Sequence, residues 1–175
     1  MTSGRKLVGT SRNDEIETPD DLYYWLDCRF HFDYDAFASH SNFKTAKHCS
    51  GMKTYSTIEG TFVVDVTPRA ERLVVAEDGL AHDWYGKRVF CNPPYSRGLL
   101  SKAIDKMVAE RNRAQIIVAL VKVDTSTAWW RKLAMYSHVE YLPRVKYVTP
   151  DGGDSPATFA SAVCIIKPDI TDWRK

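Results

Sequence analysis

Residues 115–121 read QIIVALV, six apolar side chains in succession behind a single Gln. A strand with one wet face alternates polar and apolar residues, whereas a run apolar at both parities must be covered on both faces. The run is shorter than an ordinary helix and is bounded by polar segments, so it reads as a core strand. Sheets covered on both sides carry helices above and below, which points to an α/β architecture.

The neighbouring segments agree. Residues 97–112 (RGLLSKAIDKMVAERN) have amphipathic helical spacing, and a loop, KVDTST, precedes a helix carrying Trp129, Trp130 and Leu133. Upstream, KRVFC reads as a buried strand, and TFVVDV and RLVVA as short strands, a hairpin around TPRA. The first clear element begins at ETPDDLYYWLDCRF, with Thr18 as N-cap, Pro19 at the first helical position, and Asp20 and Asp21 at the positive end of the helix dipole. HFDYDAFA follows as a strand ending in a small-residue turn around Asp35 and Ala36, and residues 39–57 read as a loop or short helix. HVEYL, RVKYVT, a DGGD turn and TFASAVCIIK make the late part strand-rich. The expected fold is a three-layer α/β domain with a mostly parallel sheet and an antiparallel hairpin at its edge. Residues 1–16 are expected to be a flexible lead and 17–175 a single domain.

Formal charge is only +2, so no polycationic signature marks the whole chain. Local enrichment is more informative: Lys44, Lys47 and Lys53 form one group, and Lys87, Arg88, Arg97, Lys102 and Lys106 another. Such groups are either solvated surface or phosphate-facing patches. No segment approaches a membrane-spanning apolar length, and a soluble, cytoplasmic protein is expected. Four scattered cysteines form no CxxC pair; Cys28, Cys91 and Cys164 read as small buried hydrophobes. His48 and Cys49, with His31 and His40, match no zinc spacing, and no metal is expected.

The stretch CNPPYS, residues 91–96, carries the chemistry. Two consecutive prolines end the KRVFC strand, fix two φ angles and leave carbonyls free as acceptors. In α/β sheets, ligands bind beyond the carboxyl ends of the strands, where this turn lies. An amine conjugated to a ring is a weak nucleophile because its lone pair is delocalised. The Asn92 side-chain oxygen and the Pro93 carbonyl could each accept one of its N–H groups, favouring a pyramidal nitrogen with its lone pair aimed at an electrophile. Tyr95 would stack on the planar ring and hold it in place. The structural alternative is a rigid strand-to-helix connection that happens to contain Asn.

With ETPDDLYYWL, FDYDAFASHSN, EDGLAHDWYGKRVFCNPPYS, DTSTAWW and LPRVKYV…ATFASAV, the chain resembles the phage-type DNA adenine N6-methyltransferases, the phage Dam family. The resemblance covers most of residues 17–166. It implies a Rossmann-like class I methyltransferase fold, S-adenosyl-L-methionine as methyl donor, DNA as partner, no metal, and the cytoplasm of a phage-infected or bacterial cell as location. It further implies that Thr18 and Pro19 help hold the donor's methionine part, that Asp35 and Ala36 lie where the donor sits, and that Asn92, Pro93, Pro94 and Tyr95 form the catalytic turn. The chain departs from the wider pattern in having DAFAS where many methyltransferases have a Gly-rich turn, and Pro143 where the family usually has Gly. Residues 58–76 read as an insertion beside the active face.

Adenine N6 in DNA is the leading target, since Asn at the head of the motif is typical of adenine enzymes. Cytosine N4, a protein glutamine amide, and a non-catalytic DNA-binding protein of the same fold are the alternatives. Lys44, Lys47, Lys53, Arg97 and Lys102 flank the expected pocket and are candidate phosphate contacts. With little room for a separate recognition domain, sequence reading falls to loops, to residues 39–76, or to the second copy of a homodimer.

Overall fold

The structure, a computed structural model, describes residues 17–37, 52–57, 60–65, 74–75, 79–95, 98–148 and 154–169. Along the chain lie α1 (Asp20–Phe30), β1 (Tyr34–Asp35), β2 (Met52–Thr57), β3 (Gly60–Asp65) and β4 (Val74–Val75). Next come β5 (Arg88–Cys91), α2 (Leu99–Glu110), β6 (Ile116–Lys122), α3 (Ala128–Met135) and β7 (His138–Leu142). The last described strands are β8 (Lys146–Val148), β9 (Asp154–Pro156) and β10 (Ser161–Ile166).

QIIVALV forms β6, and both parities are buried, each into a different layer. Ile116, Val118 and Leu120 join Tyr23, Trp25, Leu26 and Phe30 of α1 in one core. Ile117, Ala119 and Val121 join Ala103, Ile104 and Met107 of α2, and Trp130 and Leu133 of α3, in the other. β5 and β10 alternate in the same way: Phe90, Val163 and Ile165 face α1, while Val89, Cys91, Ala162 and Cys164 face α2 and α3. Helices therefore cover both faces of the sheet, as a strand apolar on both sides requires.

The six-stranded main sheet has the order β4-β1-β5-β6-β10-β7. β4, β1, β5 and β6 are mutually parallel, whereas β10 runs antiparallel to β6 on one side and β7 on the other. The chain leaves β1 for β4 on one flank and returns to β5 on the other. The carboxyl ends of β1 and β5 thus frame a topological switch point, where open α/β sheets place their ligands.

Several local expectations are corrected. β3 pairs with β2, inside the segment expected to be loop or helix, and among the described residues makes no pairing with β4; TPRA itself lies outside the described residues. β4 joins the main sheet beside β1, so residues 58–76 are not one insertion. Their first part belongs to the β2–β3 hairpin, which lies against α1 and β7. The β8–β9 hairpin brackets the DGGD turn but forms its own two-stranded sheet; β7 is the main sheet's edge. α1 starts at Asp20 with Pro19 at its N-cap, one residue later than expected, and its first turn closes through Tyr23 N–H to the Pro19 carbonyl at 3.0 Å. Thr18 is free of the capping role because its hydroxyl is used elsewhere. His31 ends α1 in the left-handed region, φ 56°. Among the described residues no group of three His, Cys, Asp or Glu side chains is arranged to hold a metal. Nor is any described helix long and apolar enough to cross a membrane.

Candidate active site

β5 delivers Asn92 to the carboxyl edge of the sheet, and β1 delivers Asp35 to the same edge on the next strand. Parallel pairing sets Asp35 opposite Phe90, and the Ala36 N–H donates to the Phe90 carbonyl at 3.0 Å. The two strand ends are therefore in step, with the Asp35–Ala36 turn beside the start of the Asn-Pro-Pro-Tyr turn. Asp35 is buried, 4% exposed, and its carboxylate accepts the Phe37 N–H at 3.3 Å. That charge acts on Cys91, whose thiol is held well above its ordinary pKa, first by complete burial and then by Asp35.

Asn92 is half-buried, and its Nδ2 donates to Thr18 Oγ1 at 3.0 Å. Thr18 is itself 2% exposed, so the contact is shielded from water. Glu17 and Val148 exchange backbone hydrogen bonds at 3.0 and 3.1 Å, which ties the segment before α1 to β8. Thr18 is thus anchored from both sides, by α1 and by this bridge. The sequence suggested Thr18 as a helix cap; its long-range partner on Asn92 has no local signature.

Tyr95 is partly buried against both cores. The Phe159 ring meets it edge-on, centroids 5.5 Å apart, and Lys122 Nζ lies 5.7 Å from its centroid. Phe159 also contacts Tyr147, whose hydroxyl lies 3.1 Å from Ser161 Oγ in full burial. Burial holds the Tyr95 hydroxyl well above the usual phenol pKa, with Tyr147 adding to the effect. The ring is thereby held from β6, β8 and the start of β10. None of these supporting residues was singled out from sequence, although Tyr147 and Phe159 lie in LPRVKYV and ATFASAV.

Gly79 explains part of the EDGLAHDW segment. A Cβ at Gly79 would lie 1.5 Å from the Ala36 carbonyl oxygen, so only glycine lets the two backbones meet. Trp84, fully buried, donates its indole N–H to the Gly79 carbonyl at 3.0 Å and fixes that turn. The Asp35–Ala36 turn is consequently backed by the 79–84 turn. The cue available in the sequence was a lone Gly five residues before a Trp.

The other expected contacts fare differently. Lys44, Lys47 and Arg97 lie outside the described residues, and Lys53 is on β2, opposite Val64. Lys102 is exposed in the first turn of α2, at the carboxyl edge. Lys87 covers the Tyr34 ring at 4.3 Å, Arg88 Nε donates to the Phe30 carbonyl at 2.6 Å, and Lys106 pairs with Glu110 at 2.9 Å; these three are committed to the fold. Trp130 is core, and Trp129 packs against it at 6.0 Å, edge-on.

A mixed α/β sheet carries an Asn-Pro-Pro-Tyr turn and a buried carboxylate at its switch point, the position at which open α/β sheets place their ligands. The family model described as DNA N-6-adenine-methyltransferase (Dam) matches residues 61–174, well over half of the chain, and the protein belongs to that family. No curated protein matches the chain.

Proposed function

We propose that the protein transfers a methyl group from S-adenosylmethionine to the exocyclic N6 amine of adenine in DNA, on a Rossmann-like class I methyltransferase fold. Membership of the Dam family supports the reaction. The observation that carries the site is the placement of Asn92, held by Thr18 at 3.0 Å, one strand from the buried Asp35.

The donor region suits a cationic ligand bearing hydroxyls. Asp35 puts a buried carboxylate at the end of β1, beside the apolar core, and Ala36 adds little side-chain bulk next to it. Asp35 would accept from the donor's ammonium or ribose hydroxyls, and Pro19 would line the same end. The donor, when bound, would supply an electrophilic methyl group on a sulfonium; forming the N–C bond breaks the S–C bond and leaves a neutral thioether, and the amine gives up one proton to solvent.

The remaining work falls to the turn. A base in duplex DNA must leave the stack before its amine can enter. The Asn92 side-chain oxygen and the Pro93 carbonyl then accept one N–H each, which localises the lone pair on the amine nitrogen. Pro93 and Pro94 keep those acceptors from relaxing, because neither φ can rotate. Tyr95, braced by Phe159 and Lys122, offers its ring to the adenine.

Incubation with isotopically labelled donor and unmethylated DNA, followed by nucleoside mass spectrometry, tests this reading. N6-methyladenine is the expected product. N4-methylcytosine as the main product would overturn the base assignment and keep the mechanism. Donor binding without transfer to any DNA base would refute the DNA-methyltransferase reading in favour of a non-catalytic DNA-binding protein or a methyltransferase acting on a protein amide.

A further inference from the structure

Many of the described cations away from the carboxyl edge are paired with carboxylates. Arg111 and Arg113 follow α2 at the amino edge; Arg113 pairs with Asp83 at 3.0 Å and with Glu110 at 3.1 Å, and Arg111 lies 4.0 Å from Asp169. Arg29, in the last turn of α1 and so also toward that edge, makes a two-bond pair with the buried Glu140. Lys106 and Lys132, further along α2 and α3, pair with Glu110 and Asp105 at 2.9 and 2.7 Å.

At the carboxyl edge the pattern reverses. Lys122 ends β6, and Arg144 and Lys146 follow the end of β7, which runs parallel to β6 with β10 between them. Among the described residues, none of the three has a carboxylate partner. Register places them together: Ser161 at the start of β10 sits opposite both Lys122 and Leu142. Neighbouring strands lie roughly 4.8 Å apart, so Lys122 and Leu142 are about 10 Å apart across the sheet. Arg144 and Lys146 are exposed, while Val145 and Tyr147 between and after them are buried, which turns both cations outward. The same segment meets the Asn-Pro-Pro-Tyr turn through Tyr147, Phe159 and Tyr95.

Three cations without a carboxylate partner, gathered at the carboxyl edge beside a candidate site for DNA, have a specific physical use. A phosphate backbone laid along that edge meets no competing carboxylate partner on these side chains, and each phosphate neutralised releases counterions. We propose that Lys122, Arg144 and Lys146 form a phosphate-binding rim that holds the DNA strand while its base occupies the Asn92–Tyr95 turn. The rim rests on the functional reading above for the identity of its ligand, and it moves the phosphate contacts to residues other than those expected from the lysine-rich segments.

The test is binding of a short unmethylated duplex at several salt concentrations, compared between wild type and Arg144→Gln/Lys146→Gln. Each lost phosphate contact lowers the slope of log affinity against log salt by about 0.9, so the double variant should lose about 1.8. Between 50 and 200 mM salt, wild type then weakens about twelve-fold more than the variant. Lys122→Gln should lower the slope by about 0.9 with its melting temperature retained. Lys167→Gln, also exposed but beyond the opposite end of β10, should leave the slope unchanged. Donor affinity should be the same in all variants. A double variant with the wild-type slope, or a Lys167→Gln slope equally reduced, overturns the rim. Wild type that binds DNA with the predicted slopes but transfers no methyl group supports the rim and refutes the enzymatic reading. Wild type that binds no DNA overturns both.

Discussion

Gly79→Ala is a single added methyl with a large expected effect. The new Cβ would fall 1.5 Å from the Ala36 oxygen, 2.6 Å from its carbonyl carbon and 3.1 Å from its Cα. All three are backbone atoms of the turn after β1, so no side chain can swing aside. Reaching an ordinary contact of 3.4 Å requires the two turns to part by about 2 Å. Overpacking of this kind costs about 1–3 kcal/mol. The same displacement strains the Trp84 indole bond to Gly79, worth about 0.5–1.5 kcal/mol net. Reduced freedom of the unfolded chain returns about 0.4–1 kcal/mol, because alanine is stiffer than glycine. The net loss is about 0.5–4 kcal/mol, centred on about 2, a fall in melting temperature of about 1–16 °C for a chain of this length. Thermal unfolding followed by near-ultraviolet circular dichroism measures it. Trp84→Phe removes the indole bond by another route, and the double variant should lose less than the sum of the singles. A Gly79→Ala protein melting with wild type, or above it, would refute the close-approach reasoning outright.

Asn92→Ala should abolish methyl transfer while leaving donor affinity within a few-fold by isothermal titration; a large loss of donor binding in a folded variant would remove Asn92 from the catalytic role. Asp35→Ala should weaken donor binding about ten- to a hundred-fold, the loss of a charge-assisted bond worth roughly 1.5–3 kcal/mol, and unchanged affinity would sink the assignment. Thr18→Val removes the Thr18 hydroxyl that accepts from the Asn92 Nδ2, so kcat should fall with folding retained and Thr18→Ser should restore it; a valine variant with full kcat would show the bond to be dispensable. Burial pushes the Cys164 thiol from 9.0 up to about 12, so the folded state holds the proton after the unfolded chain has lost it. Its contribution to stability is intact below pH 9 and is lost progressively between 9 and about 12; Cys164→Ala should flatten that alkaline decline in denaturant titrations, and an equally steep decline would refute the attribution.

Legibility followed the range of the forces involved. β5, α2, β6, α3 and β10 could be read because periodic burial writes itself into consecutive residues, as in QIIVALV. β1 and β4 are two residues each and are strands only by virtue of their parallel neighbours, so HFDYDAFA and RLVVA could be recognised as strands but not partnered, and TFVVDV, which forms β3, was joined to RLVVA instead of to β2. β2 was missed because MKTYST carries no apolar alternation and is defined by its pairing with β3. At the site, the Asn-Pro-Pro-Tyr turn was legible because proline chemistry is local. The Thr18–Asn92 bond spans 74 residues, and the Tyr147–Ser161 contact joins two strands of different sheets; neither separation leaves a mark on a linear pattern.

The antiparallel placement of β10 bears on how the protein is born. A chain leaving the ribosome presents β1 first and then β4, β5 and β6, each of which finds a partner already synthesised. β7 emerges without one, since among the described residues its one neighbour in the main sheet is β10, made about twenty residues later. Until residues 161–166 appear, the flank of β6 is an open edge of apolar residues, the kind of template that invites pairing with another chain. The same strand seats Ser161 beneath Tyr147 and so completes the bracing of Tyr95. A nascent chain therefore acquires a closed sheet and a finished candidate site in one late event, and a product stopped before residue 161 carries the Asn-Pro-Pro-Tyr turn without the strand that braces it.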